Sequence, residues 1–251
     1  MIVDLRTFKA TYARDPRLRL GCVVDTNILF GASYPLDRLN TWSEKFVEVC
    51  RNSGIPLYTN LNVRAEYLDI YRRALAVESL LQIWSQFRTD LSGDTQKRLK
   101  ALDQLVRENI QRNKTTLISE RDIKEYKETL LQIFPVASST GKDLWQILCE
   151  DFLLPQLAPS WDDVVDSLGL NFAGSRALED TTLFTSVPNW ADATKIIGKS
   201  CMGSMDAMIV NFFGCSKFYA LVTADAQVAE YLDGEHGANR LIIFPDDEEL
   251  S

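Results

Sequence analysis

At 251 residues, with 46% hydrophobic side chains and no apolar run of eighteen or more, the chain can fill one large core or two modest ones. Disorder, a membrane span and a secretory signal are not expected. Cys22, Cys50, Cys149, Cys201 and Cys215 lack CxxC spacing, which argues against a disulfide framework or zinc site and fits a reduced cytoplasm. The lone His236 leaves little for serine–histidine triads or multi-histidine metal sites, so any catalysis falls to carboxylates.

In chain order, residues 1–20 read as a basic N-terminal arm, and Gly21 to Asp25 reads as a buried parallel strand followed by a turn at Thr26 and Asn27. Thr41 with Glu44 has the spacing of a capping box, and Trp42, Phe46, Val49 and Cys50 follow at helical intervals until Gly54. Ile55 to Thr59 forms a second strand. A helix from near Asn60 carries Ala65, Leu68, Tyr71 and Leu75 inward, with Glu66 beside that stripe.

From about 77 to 181 strand patterns disappear. Leu80, Trp84 and Phe87 extend or follow the second helix, and three further helices are expected: Leu99 to Ile110, Ile123 to Phe134, and Leu144 to Leu148 before Pro155. This stretch reads as a helical insertion packed on the core. Alternation then returns. Leu183 to Val187 reads as a strand, Asn189 and Asp192 open a helix closed by Gly198, and Ser204 caps one from Met205 to Phe213 ended by Gly214. Phe218 to Thr223 is a strand, a helix spans about 226–232, and Leu241 to Phe244 is the last strand before an acidic tail at 246–251. Asp163 and Asp192 read as capping groups.

The expected architecture is therefore α/β, a doubly wound parallel sheet of about five strands built from 21–76 and 182–245, with a helical subdomain over 77–181. The net charge of −8 is unevenly placed: residues 143–192 carry nine acids against Arg176 alone, and 246–249 add four more acids. The rest of the chain holds 26 basic and 22 acidic residues, which leaves room for a polyanion partner. One basic stretch, residues 94–114, includes Lys97, Arg98 and Lys100, which are candidates for phosphate contacts and equally a solvated helix face.

In an open parallel sheet, ligands bind at the carboxyl ends of the strands, where Asp25 and Asp225 are expected. Asp206 falls in the first turn of its helix, and Glu66 about two turns into its own, so all four acids can reach one crevice. Four uncompensated carboxylates imply raised pKa values or a bound divalent cation, and oxygen-only ligands favour Mg²⁺ or Mn²⁺. Thr26, Asn27, Ser204 and Thr223 are the neighbouring donors best placed to orient them.

The segments around these acids, Val23-Val-Asp-Thr-Asn-Ile-Leu29, Asn62-Val-Arg-Ala-Glu66, Ser204-Met-Asp-Ala-Met-Ile209 and Leu221-Val-Thr-Ala-Asp225, resemble the successive acidic motifs of PIN-domain nucleases. The resemblance covers roughly 21–76 and 182–245; the intervals of 41 residues from Asp25 to Glu66 and 19 from Asp206 to Asp225 agree with it. Two features depart from it: 140 residues separate Glu66 from Asp206, and Gln227 stands where many members place a further acid. The resemblance implies a metal-dependent endonuclease that hydrolyses phosphodiester bonds in RNA, as in toxin ribonucleases or RNA-processing enzymes. Its partners would be an RNA substrate, with an antitoxin or other regulatory protein or a homodimer as further candidates, and no membrane. A catalytically inactive PIN-like binding scaffold is the alternative. A haloacid-dehalogenase phosphatase would want an acid where Asn27 stands.

Overall fold

The computed structural model describes residues 1–131, 141–173, 182–246 and 248–250. The chain divides into two compact units: Met1–Pro35, Leu39–Tyr67 and Asp163–Ser251 form the first, and Leu36–Arg38 with Leu68–Asp162 the second. No helix among the described residues is long and apolar enough to cross a membrane.

The first unit is built on six parallel strands, β1 (Ile2–Val3), β2 (Cys22–Val24), β3 (Leu57–Thr59), β4 (Leu170–Phe172), β5 (Ala220–Val222) and β6 (Leu241–Ile243). Their spatial order is β1-β6-β5-β2-β3-β4. Every residue of β2, β5 and β6 is buried, as strands covered on both faces must be, which explains their unbroken apolar sequences. From β2 the chain steps outward through β3 to β4 in one direction, then resumes on the other side of β2 with β5 and β6. The switch point of the sheet therefore lies between β2 and β5, which pair in register from Cys22 with Ala220 to Val24 with Val222.

Gly21 is what lets β2 start where it does. Its φ of +122° is open only to glycine, and a Cβ there would lie 2.6 Å from the Pro56 carbonyl and 2.7 Å from the Tyr58 ring.

The helices are α1 (Leu5–Thr7), α2 (Thr26–Ser33), α3 (Asn40–Ser53), α4 (Leu61–Phe87), α5 (Gly93–Gln111), α6 (Glu120–Leu131), α7 (Leu144–Gln146), α8 (Leu154–Leu168), α9 (Trp190–Ser200), α10 (Ser204–Cys215) and α11 (Ala226–His236). In the first unit Trp42 and Phe46 of α3 stack 5.9 Å apart, and Phe8 packs on Phe46. The second unit has its own core, in which Val77, Leu80 and Ile83 of α4 meet Leu99 of α5, Tyr126 and Leu130 of α6, and Leu144 of α7.

Several expectations are corrected. The arm over 1–20 contains edge strand β1, paired to β6 from Ile2 with Ile242 to Val3 with Ile243. Residues 77–181 are not free of strands: β4 pairs with β3 at the opposite edge. Leu183–Val187 is no strand; Phe184 makes a single antiparallel bridge to Ser216. Thr41 is not a cap, because α3 starts at Asn40 after Leu39, with no side-chain cap bond. Gly198 and Gly214 lie inside α9 and α10, whose C-caps are Cys201 and Ser216.

The helix at Leu144 does not stop before Pro155. It passes through a π segment, Ile147–Leu153, into α8. Pro155 falls where bonding changes from i→i−5 to i→i−4, so the N–H it lacks is missed little. Asp163 lies within α8 and caps nothing. The expected helix residue Phe134, the charges at 176, 179 and 180, and Asp247 of the tail lie outside the described residues.

Candidate active site

The site grows from the carboxyl ends of β2 and β5. Backbone continuity beyond the strands holds both ends: the Asp25 amide donates to Val222 O at 3.1 Å, and the Thr223 amide to Ile243 O at 3.1 Å. Asp25 is 3% exposed and N-caps α2, its Oδ1 accepting from the Thr26 amide at 2.7 Å. Its Oδ2 accepts from the Thr223 hydroxyl at 2.5 Å and from Asn27 Nδ2 at 3.0 Å. Asn27 Oδ1 in turn accepts from the Ala224 amide at 2.9 Å, which ties the turn after β2 to the turn after β5.

The Thr26 hydroxyl donates to Glu66 Oε2 at 2.6 Å, bringing the acid of α4 to the same place. Thr223 Oγ1 also accepts from the Asp225 amide at 3.0 Å, and Asp225 caps α11 through its bond from the Val228 amide, also 3.0 Å. Five of the eight residues expected at this site are thus linked: Asp25, Asn27 and Thr223 side chain to side chain, Thr26 and Glu66 likewise, and the two groups through the Thr26 amide on Asp25 Oδ1. Asp225 joins through its main chain.

Asp206 is placed by α10, in whose first turn it lies. It reaches this network through its field: burial, then the charges of Glu66 and Asp206, push the Asp25 carboxyl up to about 7 against the hydrogen bonds from Thr223 and Thr26 that pull it down. The Asp206 carboxyl is itself raised, by burial first and by Asp225 second. Among the described residues no group of three or more His, Cys, Asp or Glu side chains is arranged to hold a metal ion.

Gly203 belongs to the site although its sequence context offers no motif. It is the N-cap of α10, and its backbone lowers the Asp206 pKa against the effect of burial. A Cβ at Gly203 would fall 2.7 Å from Asp206 Oδ2, so the close approach of that carboxylate needs glycine. Ser204, expected as the cap, is instead the first residue of α10 and is exposed. Gln227, at the position of a missing acid, donates to Ser200 O at 2.8 Å. Asp192 sits in the first turn of α9 and accepts from Asn189, the N-cap, and from Lys195.

The basic candidates lie on α5 in the second unit. Arg98 is engaged there: it pairs with Glu125 at 2.8 Å and lies 4.8 Å over the Tyr126 ring. Lys97 is exposed and within 3.4 Å of Asp94, and Lys100 is exposed.

Chemically, the arrangement offers an all-oxygen donor set, a carboxyl raised to about 7, and repulsion among neighbouring acids. The mutual repulsion of Asp25 with Glu66 and Asp206 is what a hard divalent cation or a proton in transit would relieve. Comparison of the chain with protein-family models, with curated proteins and with solved structures finds no match.

Proposed function

We propose that the chain is a PIN-like, divalent-metal-dependent nuclease that hydrolyses phosphodiester bonds in RNA at Asp25, Glu66, Asp206 and Asp225. The observation that carries the reading is the hydrogen-bonded run from Glu66 through Thr26 to the turn at Asp25, Asn27 and Thr223, at the switch point of a parallel sheet. Asp206 stands close enough to raise the pKa of Asp25.

The residues fit Mg²⁺ or Mn²⁺ in donor type and in charge. Asp25 and Asp206, with Glu66 and Asp225, would hold the cation, which when bound supplies positive charge against phosphate and acidifies water for in-line attack. Asp25 Oδ2 has both lone pairs committed to Thr223 and Asn27, so Oδ1, which accepts only the Thr26 amide, is the oxygen that can take a further partner. Thr26 and Thr223 fix the two carboxylates Glu66 and Asp25 in orientation, as rigid support for a metal site requires. With its pKa near 7, Asp25 can also hold or release a proton at neutral pH.

The test is cleavage of a panel of single-stranded and hairpin RNAs, with matched DNAs, in Mg²⁺ and in Mn²⁺. Cleavage is expected in metal and not in EDTA. Asp25→Asn and Asp206→Asn should each reduce it by at least about 100-fold, the upper end of what losing an outer hydrogen-bonding partner of a metal ligand costs. Asparagine variants that fold and cut like the parent overturn the assignment. The second reading, an inactive binding scaffold, is favoured by the lack of a three-carboxylate group among the described residues and by Gln227 in place of an acid. A folded protein that neither cuts nor is stabilised by Mn²⁺ would establish it.

A further inference from the structure

One cleft of the first unit is lined in part by Asn60, which follows the carboxyl end of β3. It has a volume of about 230 Å³ and, among the described residues, is lined by Asn60, Leu61, Asn62, Phe184, Trp190, Met208 and others, none of them charged. Asn60 directly follows β3, the neighbour of the strand that delivers Asp25, and adjacent strands are only about 4.8 Å apart. Leu61 starts the helix that carries Glu66, and Met208 lies two residues beyond Asp206 in α10.

Its walls are of two kinds. Phe184 and Met208 are buried and apolar, 5% and 7% exposed, whereas Leu61 and Trp190 stand 59% and 54% exposed. Trp190 is the first residue of α9, set by Asn189, whose Oδ1 accepts from the Asp192 amide at 2.9 Å and whose own amide donates to Asn211 Oδ1 at 2.8 Å. An exposed indole therefore stands at the capped start of α9. Asn60 is 3% exposed, and its Oδ1 accepts from the amides of Asn62 and Val63 at 2.9 and 3.1 Å, which fixes the side-chain amide. Its Nδ2 has no hydrogen-bond partner, a buried donor that calls for an acceptor.

An aromatic face at the mouth, apolar walls and amide groups, with no charge among the described lining residues, describe a pocket for a flat, neutral, polar-edged ring. At about 230 Å³ it is below the range of roughly 300–1,000 Å³ typical for drug-sized ligands and suits a single ring system. Unpaired bases are recognised in this way, stacked on aromatic side chains and hydrogen-bonded along their edges. We infer that the cleft receives one unpaired nucleobase of a single-stranded substrate, stacked on Trp190 with its polar edge toward Asn60 and Asn62. The identity of the ligand rests on the nuclease reading. A paired base has its edge occupied and its faces covered, so the pocket selects single-stranded regions.

The experiment measures binding of a labelled ten-nucleotide single-stranded RNA, its duplex and AMP to the full chain, in EDTA at low salt. Trp190→Ala is expected to weaken single-strand binding about tenfold, Trp190→Phe to keep most of it, and neither to change duplex binding. Leu61→Glu puts a charge at a second exposed position and should weaken binding likewise, whether or not Trp190→Ala folds. Unchanged single-strand affinity in folded Trp190→Ala and Leu61→Glu overturns the pocket, while metal-dependent cleavage by the parent would leave the nuclease reading intact. Trp190-dependent binding without cleavage in any metal keeps the pocket and removes the nuclease reading. AMP bound as tightly as the oligonucleotide overturns the strand assignment, and a parent that binds no single strand overturns the inference altogether.

Discussion

Asp25 is the residue on which the site's electrostatics turn, and its energetics can be measured without a substrate. Its carboxyl rises from 3.8 to about 7 in the folded protein, chiefly through burial and then through Glu66 and Asp206. The folded state therefore holds a proton that the unfolded chain releases between about pH 4 and 7, and stability falls with rising pH across that window. The contribution is fully present below pH 3.8 and lost as pH passes through about 7. In EDTA, Asp25→Asn should match the parent in stability near pH 4 and exceed it increasingly up to pH 8. The gain should reach up to about 4 kcal/mol for a shift of about three pKa units. Thermal melts of both proteins across that range check this, because other titrating groups cancel in the difference. A difference independent of pH would mean that Asp25 is ionised throughout.

At the scale of elements, α10 shows how a small residue sets the position of a carboxylate. Gly203 leaves the space that the Asp206 carboxylate occupies. Gly203→Ala should lower Mn²⁺ affinity and cleavage by about 10- to 100-fold. The folding cost should be about 1 kcal/mol or less, since the backbone there, with φ −60° and ψ 157°, suits alanine. Titration calorimetry with Mn²⁺ beside a thermal melt separates the two effects, and an unchanged Mn²⁺ affinity would show that Asp206 need not lie against Gly203. The same element shows why parts of the fold were legible from sequence and others were not. The buried central strands announce themselves as apolar runs ending in Asp25 or in Thr223 and Asp225, because burial on both faces leaves no alternation to obscure them. Edge strands β1 and β4 are two and three residues long, and Phe172 is 50% exposed, so their strand character comes from pairing with β6 and β3. Ser204 carries a cap's chemistry yet lies one residue inside the helix, and nothing local marks Gly203 as the cap.

For the whole molecule, the decisive quantity is which of the 27 basic residues are left for a polyanion after internal pairing. In the second unit much of the positive charge is neutralised in place: Arg72 by Asp69 and Glu120, Arg121 by Glu125, and Lys142 by Glu150 and Asp151. Arg98 shares Glu125 and covers Tyr126, whereas the Lys97 side chain remains 82% exposed and Lys100 is exposed. The basic run on α5 therefore divides into a structural arginine and two solvent-facing lysines. If single-stranded RNA crosses α5, neutralising Lys97 and Lys100 together should reduce the slope of log affinity against log salt by about 1.4, near 0.7 per phosphate contact, without changing stability. Arg98→Gln should do the reverse: it loses about 1 kcal/mol of stability through its ion pair and ring contact and leaves the slope unchanged. Salt-dependent binding isotherms and melts on Lys97→Gln/Lys100→Gln and on Arg98→Gln resolve the two roles. An unchanged slope in the lysine pair would remove α5 as a contact for single-stranded RNA and return Lys97 and Lys100 to the role of a solvated helix face.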